Sequence, residues 1–85
     1  MSRFTQYKPT KVNLSQYREA VDFLFFHVNA YAGCATDQER TNQAPRMREP
    51  LWTVETIECG RATERDLSRA EVAMKRAREI IGNHP

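Results

Sequence analysis

The stretch Phe23-Leu24-Phe25-Phe26 decides how this chain must fold. It lies within the longest apolar segment, residues 20–35, and places four large apolar side chains in a row. Successive residues of an α-helix are rotated by about 100°, so these four side chains point to different sides and no single face can bury them all. Whatever packs around them forms the core, and any part left uncovered is a candidate interface.

A helical pattern extends to both sides of this stretch. Asn13 is a predicted N-cap, and Gln16, three residues later, completes a capping box. The principal apolar face has residues at helical spacing: Tyr17, Ala20, Val21, Leu24, Val28, Tyr31, Ala32 and Ala35. A second stripe on the same helix contains Phe23, Phe26, His27, Ala30 and Cys34. Only a narrow polar wedge remains, so we expect this helix to be central or to lie in an oligomer interface.

Residues 25–31 allow a second interpretation. They form a short apolar run of high β-propensity closed by Gly33, so the helix could end near Leu24 and the chain continue as a strand. We prefer a continuous helix, because the helical spacing persists through Ala35. In the strand interpretation the second stripe would not exist.

Two polar segments flank this helix. Residues 1–12 are a basic lead-in, in which residues 3–7 could form a brief edge strand. Residues 36–50 are polar, and their first part could extend the helix. The part from Pro45 to Pro50 is expected to be a loop, because proline interrupts regular structure.

The strongest strand signal is residues 51–58, which are rich in β-branched side chains and contain Trp52. A short helix from Pro50 to Gly60 is the alternative. A strand here needs a partner. That partner would be residues 3–7, residues 25–31 or the same strand of a second chain.

The C-terminal segment is a predicted helix with clear ends. Thr63 can cap it, and Glu64 and Asp66 in the first turn favour the helix dipole. One apolar face contains Leu67, Ala70, Ala73, Met74, Ala77, Ile80 and Ile81, and Gly82 supplies the stop. Together the segments predict a single α+β domain over residues 1–85. In it, a long Phe-rich N-terminal helix and a C-terminal helix pack with a small sheet that includes residues 51–58.

The composition is that of a small globular protein. The 85 residues are 40% hydrophobic and 28% charged, and the net charge of +2 is mild for a nucleic-acid binder. The N-terminus has no apolar signal region, and Asp22, His27 and Asn29 interrupt the best membrane-span window. We therefore expect a cytoplasmic protein that does not cross a membrane, with its two cysteines as free thiols.

No residue pattern indicates catalysis, a metal or a cofactor. The soft metal ligands are His27, Cys34, Cys59 and His84, and none forms the close pairs that zinc sites use. His27 and Cys34 would be about 10 Å apart along a helix, too far for a catalytic pair. We expect no enzyme activity, and we keep a small zinc or thiol protein as an alternative.

Several residues are candidates for a protein interface. Phe23, Phe26 and Ala30 belong to the second stripe, which needs a cover. Arginine and methionine are enriched at interfaces, which singles out Arg46, Met47 and Arg48 in the proline-bounded loop. Trp52 follows that loop, and its burial in the core is the simpler expectation.

A basic stripe runs along the outer side of the C-terminal helix. Arg61, Arg65, Arg69 and Arg76 form it, with Val72 between them. Such a stripe could bind phosphates, although the acids on the same helix oppose a polyanion. A nucleic-acid-binding regulator is therefore the alternative function.

The leading expectation is a small non-enzymatic regulatory or inhibitory protein that binds a larger protein partner and forms a homodimer. A phage or mobile-element accessory protein is one form this expectation takes, because small free-standing chains of this kind are often accessory or inhibitor proteins, including those of phages and mobile elements. The expectation depends on the absence of a catalytic pattern and on an apolar surface too large for one short chain to cover.

Overall fold

Helices dominate the architecture of residues 9–84, the part of the chain that the computed structural model describes. The elements are β1 (Thr10–Lys11), α1 (Leu14–Ala32), α2 (Asp37–Gln43), a 3-10 turn (Ala44–Met47), α3 (Arg48–Thr56), β2 (Ile57–Glu58) and α4 (Glu64–Gly82). The strands pair in parallel, with Thr10 opposite Ile57 and Lys11 opposite Glu58. The fold is mostly helical (76%), so the α+β class is only loosely supported.

Helix α1 confirms the continuous helix through residues 25–31. It begins with the predicted capping box: the Asn13 side chain accepts from the Gln16 backbone N–H at 2.7 Å, and the Asn13 N–H donates to Gln16 Oε1 at 3.0 Å. The helix is capped at Gly33, before the point to which the apolar spacing extended. The second stripe predicted from the sequence therefore exists.

The predicted strand over residues 51–58 is wrong, and the short-helix alternative is nearer the structure. Helix α3 covers Arg48–Thr56, and only Ile57–Glu58 is extended. Leu51 and Val54 reach the core together only at helical spacing, and this packing outweighs the β-propensity of the branched residues. Pro50 is tolerated because it lies in the first turn, where the backbone N–H has no partner within the helix.

Two further expectations fail or lie outside the described residues. Residues 36–50 do not extend α1, because Thr36 starts a new helix with its own capping box to Glu39. The expected loop from Pro45 to Pro50 is instead the 3-10 turn and the first turn of α3. The possible edge strand over residues 3–7 lies outside the described part, and β1 is the strand that pairs with β2.

One core lies between α1, the 3-10 turn, α3 and α4. Its buried members are Tyr17, Val21, Leu24, Val28, Met47, Leu51, Val54, Ala70, Ala73 and Ala77. The three alanines give α4 a flat side that can approach its neighbours closely. Thr63 caps α4 as predicted, accepting from the Asp66 N–H at 3.2 Å.

Helices α1 and α4 run in the same direction. Arg18, near the start of α1, pairs with Asp66 near the start of α4, and Tyr31 and His84 meet at the other end. The smallest dimension of the molecule is 16 Å. Helices pack with their axes about 8–10 Å apart, so the molecule is at most two helices thick. Every long helix therefore keeps one face away from the core.

Candidate protein-interaction surfaces

Two phenylalanine side chains project from the face of α1 that is turned away from the core. Phe23 is 55% exposed and Phe26 is 65% exposed. Their ring centroids are 6.5 Å apart, and the ring planes differ by only 4°. We call Phe23, Phe26 and the adjoining Ala30 the Phe patch. Burying one phenylalanine side chain is worth roughly 2 kcal/mol, so this exposure forgoes a substantial part of the available stability.

His27 holds the two rings in place from the side. Its imidazole packs edge-on against Phe23, with centroids 4.8 Å apart, and against Phe26 at 5.5 Å. The side-chain amide nitrogen of Gln43 in α2 lies 3.3 Å from His27 Nδ1. The exposed rings are thus supported by a neighbouring helix. A preorganised surface of this kind loses less entropy when it binds.

Charges of opposite sign lie at the two ends of the Phe patch. At the N-terminal end, Glu19 and Asp22 line a shallow, largely apolar depression with the two phenylalanines. At the C-terminal end, Ala30 and Arg46 line a second, more polar depression. Glu39 also lines that second depression, but its carboxylate accepts backbone N–H groups at the start of α2.

A second exposed aromatic residue lies on α3. Trp52 is 60% exposed, so the expectation that it belongs to the core is wrong. The buried side of α3 is already filled by Pro50, Leu51 and Val54, and at helical spacing Trp52 falls on the other side. Arg48 lies one turn earlier and is also exposed. We call Arg48 and Trp52 the Trp52 surface.

The predicted interface residues do not form one surface. Met47 is fully buried and belongs to the core, which removes it from the contact candidates. Its neighbours Arg46 and Arg48 are exposed, one beside the Phe patch and the other on the Trp52 surface. The segment expected to present all three side chains as a loop is helical. Consecutive residues of a helix point in different directions.

The basic stripe of α4 is smaller than the sequence predicts. Arg69 turns toward α1, where it pairs with Asp22, and its guanidinium lies 4.6 Å from the centre of the Phe25 ring. Arg61, Arg65 and Arg76 are exposed and form no ion pair within residues 9–84. Because Arg69 is engaged by Asp22, the basic stripe is no longer continuous, and this weakens the case for phosphate binding.

Two other ion pairs, which sequence reasoning missed, attach α4 to its neighbours. Arg18 Nε donates to Asp66 Oδ1 at 2.9 Å, and Arg78 Nη2 donates to Glu55 Oε2 at 2.8 Å. The Arg18 guanidinium, followed by the Thr63 backbone N–H, holds the pKa of Asp66 well below its ordinary value. The sequence shows these charges, but their partners lie on different helices and no spacing rule connects them.

The candidate metal and thiol residues are dispersed. His84 Nε2 lies 2.7 Å from the Tyr31 hydroxyl, and the Cys34 thiol donates to the Ala30 carbonyl at 3.3 Å. Cys34 and Cys59 form no disulfide. Among residues 9–84 no three histidine, cysteine or acidic side chains converge as metal ligands would.

Within the same described range, no helix has the length and apolar character needed to cross a membrane. Comparison with models of known protein families, with curated proteins and with solved structures finds no match. The function is therefore inferred from the geometry and chemistry of the described residues alone.

Proposed function

We propose that this protein is a small, non-enzymatic regulatory or inhibitory protein that acts by binding a larger protein partner. One observation carries the proposal: aromatic side chains on two different helices, Phe23 and Phe26 on α1 and Trp52 on α3, are more than half exposed. Apolar area of this kind, supported by ordered helices, is typical of a surface that a partner covers.

The larger partner is assigned to the Trp52 surface. Tryptophan and arginine are among the residues most enriched at interface hot spots, and Trp52 and Arg48 lie one helical turn apart. Leu51 and Val54 anchor the opposite side of α3 in the core, and the ion pair between Glu55 and Arg78 joins α3 to α4. This support keeps the two side chains on a rigid helix and lowers the entropy lost on binding.

A reducing compartment such as the cytoplasm suits this function. Both thiols remain unpaired, and the fold uses no disulfide for its stability.

The test compares two exposed apolar residues on different helices. Tagged wild-type protein, Trp52→Ser and the control Val72→Ser would be incubated with lysate of the cells that encode the chain. Val72 lies on α4 and is 44% exposed. We expect wild type and Val72→Ser to retain the same protein, and Trp52→Ser to retain at least about tenfold less of it, as loss of a hot spot implies.

Two outcomes would contradict the proposal. The first is that no protein is retained by the wild type beyond a tag-only control. The second is that Trp52→Ser retains its partner as well as Val72→Ser does. Circular dichroism of both variants checks that each is folded.

A further inference from the structure

We propose that the Phe patch is covered by a second copy of this chain, in an antiparallel α1–α1 pair whose two-fold axis passes between Phe23 and Phe26. This proposal assigns the exposed phenylalanines of α1 to a second copy and leaves the Trp52 surface of α3 to the larger partner, so each surface is tested by its own variants. Three features of the molecule support it: the row of residues on α1, the charges at the two ends of that row, and the area available.

The row consists of Glu19, Phe23, Phe26 and Ala30, which recur at helical spacing on the outer side of α1. In a two-fold antiparallel pair, positions equally far from the axis face each other. Phe23 of one copy then faces Phe26 of the other, and Glu19 faces Ala30. The large side chains meet at the centre, and the small Ala30 leaves room at the periphery.

Charge complementarity selects the antiparallel direction. Ala30 shares a depression with Arg46 and Glu39, and the Glu39 carboxylate is engaged by the backbone N–H groups at the start of α2. The arrangement therefore brings Glu19 of one copy close to Arg46 of the other, twice in each dimer. Neither side chain has an ion-pair partner among residues 9–84 of its own chain. A parallel pair would instead place Glu19 beside Glu19, which repels.

The available area predicts a dimer of moderate affinity. Helix α1 has 19 residues and is therefore about 28 Å long, and α2 flanks it on the side of His27 and Gln43. One helix face with a flanking helix falls at or below the roughly 800 Å² per partner of a standard interface. We therefore expect association in the micromolar range, in which the oligomeric state depends on concentration.

The experiment is sedimentation velocity of the full chain under reducing conditions, from about 1 μM to about 1 mM. Wild type is expected to change from monomer to dimer within this range. Phe26→Glu should stay monomeric at every concentration, because it places a charge at the two-fold axis. Val72→Glu, a matched change at an exposed apolar residue of α4, should dimerise as the wild type does.

A charge exchange tests the orientation separately, even if Phe26→Glu fails to fold. Glu19→Arg and Arg46→Glu should each raise the dimer dissociation constant by about three- to tenfold, since each replaces attraction by repulsion at both ends. The double variant should recover an affinity close to that of the wild type.

Three results would overturn the proposal. The first is a wild type that remains monomeric up to 1 mM, including the case in which Phe26 instead proves necessary for binding a different protein. The second is dimerisation that Phe26→Glu leaves unchanged. The third is a double variant no stronger than the single reversals, which would reject the antiparallel arrangement.

Discussion

At the residue scale, Met47 shows how strongly adjacent residues can differ in their exposure to solvent. It is fully buried, whereas Arg46 and Arg48 on either side are exposed. The composition of this segment suits an interface, and nothing in the three residues themselves indicates that the middle one is internal. Its role is set by the 3-10 turn, which places this one side chain in the core formed with α1, α3 and α4.

We expect Met47→Ala to destabilise the protein by about 2–5 kcal/mol, the cost of truncating a large buried side chain and leaving a cavity. Urea unfolding followed by circular dichroism measures the change. Arg46→Ala is the matched control and should stay within about 0.5 kcal/mol of the wild type, as an exposed substitution does. Equal stability of the two variants would mean that Met47 is not in the core.

Asp66 is the residue whose titration should affect stability most directly. The Arg18 guanidinium, followed by the Thr63 N–H, lowers its pKa below the ordinary value of 3.8. A group whose pKa is lower in the folded state stabilises the fold above its unfolded pKa, and this contribution is lost as the pH falls. The wild type should therefore lose stability below about pH 4.

The variant Asp66→Asn should be less stable than the wild type at pH 6 and should lose less stability between pH 5 and pH 2. Thermal unfolding at a series of pH values measures both effects. Glu71→Gln, at an exposed acid of the same helix, should leave the pH dependence close to that of the wild type. An unchanged pH profile in Asp66→Asn would show that the Arg18 pair does not contribute to stability.

At the element scale, the helices with local start signals agree with their prediction from the sequence. Asn13 and Thr63 cap α1 and α4 through contacts with residues three positions later, so the sequence contains the whole interaction. The capping box that starts α2, from Thr36 to Glu39, is equally local, but it lies within a polar segment whose composition does not distinguish a helix from a loop.

Helix α3 lies where the sequence predicts a strand, and the reason is not local. Its branched residues favour a strand, and it has no side-chain cap at its N-terminus. The element is helical because Leu51 and Val54 then enter the same core as Met47 of the preceding turn, which is a property of the packed molecule. The β-propensity of these branched residues is weak compared with the free energy gained by burying Leu51 and Val54.

The exposure of Trp52 distinguishes the observed helix α3 from the predicted strand, in which the tryptophan would be buried. It is the only tryptophan in the chain, so its fluorescence reports on α3 alone. In dilute protein we expect an emission maximum close to that of free tryptophan and quenching by iodide at a rate approaching that of N-acetyltryptophanamide. A blue-shifted emission protected from iodide would contradict the exposed position on α3.

At the scale of the whole molecule, thinness accounts for the exposed surfaces. With a smallest dimension of 16 Å, the fold cannot enclose both faces of α1, and three small alanines of α4 occupy the core where larger side chains would thicken it. The sequence predicts that the second stripe on α1 needs a cover. Within residues 9–84 its phenylalanines remain uncovered.

The distribution of charge leads to a prediction about nucleic acid. Arg69 pairs with Asp22 and Arg78 pairs with Glu55. Three exposed arginines on and near α4, Arg61, Arg65 and Arg76, therefore keep no ion-pair partner within residues 9–84, and they lie among the exposed acids Glu64, Glu71 and Glu79. We expect no measurable binding to duplex DNA at about 50 mM salt by fluorescence anisotropy. Micromolar binding that falls steeply with added salt would instead support the alternative function as a nucleic-acid-binding regulator.

The sequence by itself determined the two long helices, their caps and the existence of a second apolar stripe, because these depend on interactions within one or two helical turns. Only the tertiary structure decided that α3 is a helix, that Met47 is internal, that Trp52 is exposed and that Arg69 turns toward α1. Each of these depends on which distant residue lies opposite. Burial and ion pairing between helices then outweigh local propensities of a few tenths of a kcal/mol per residue.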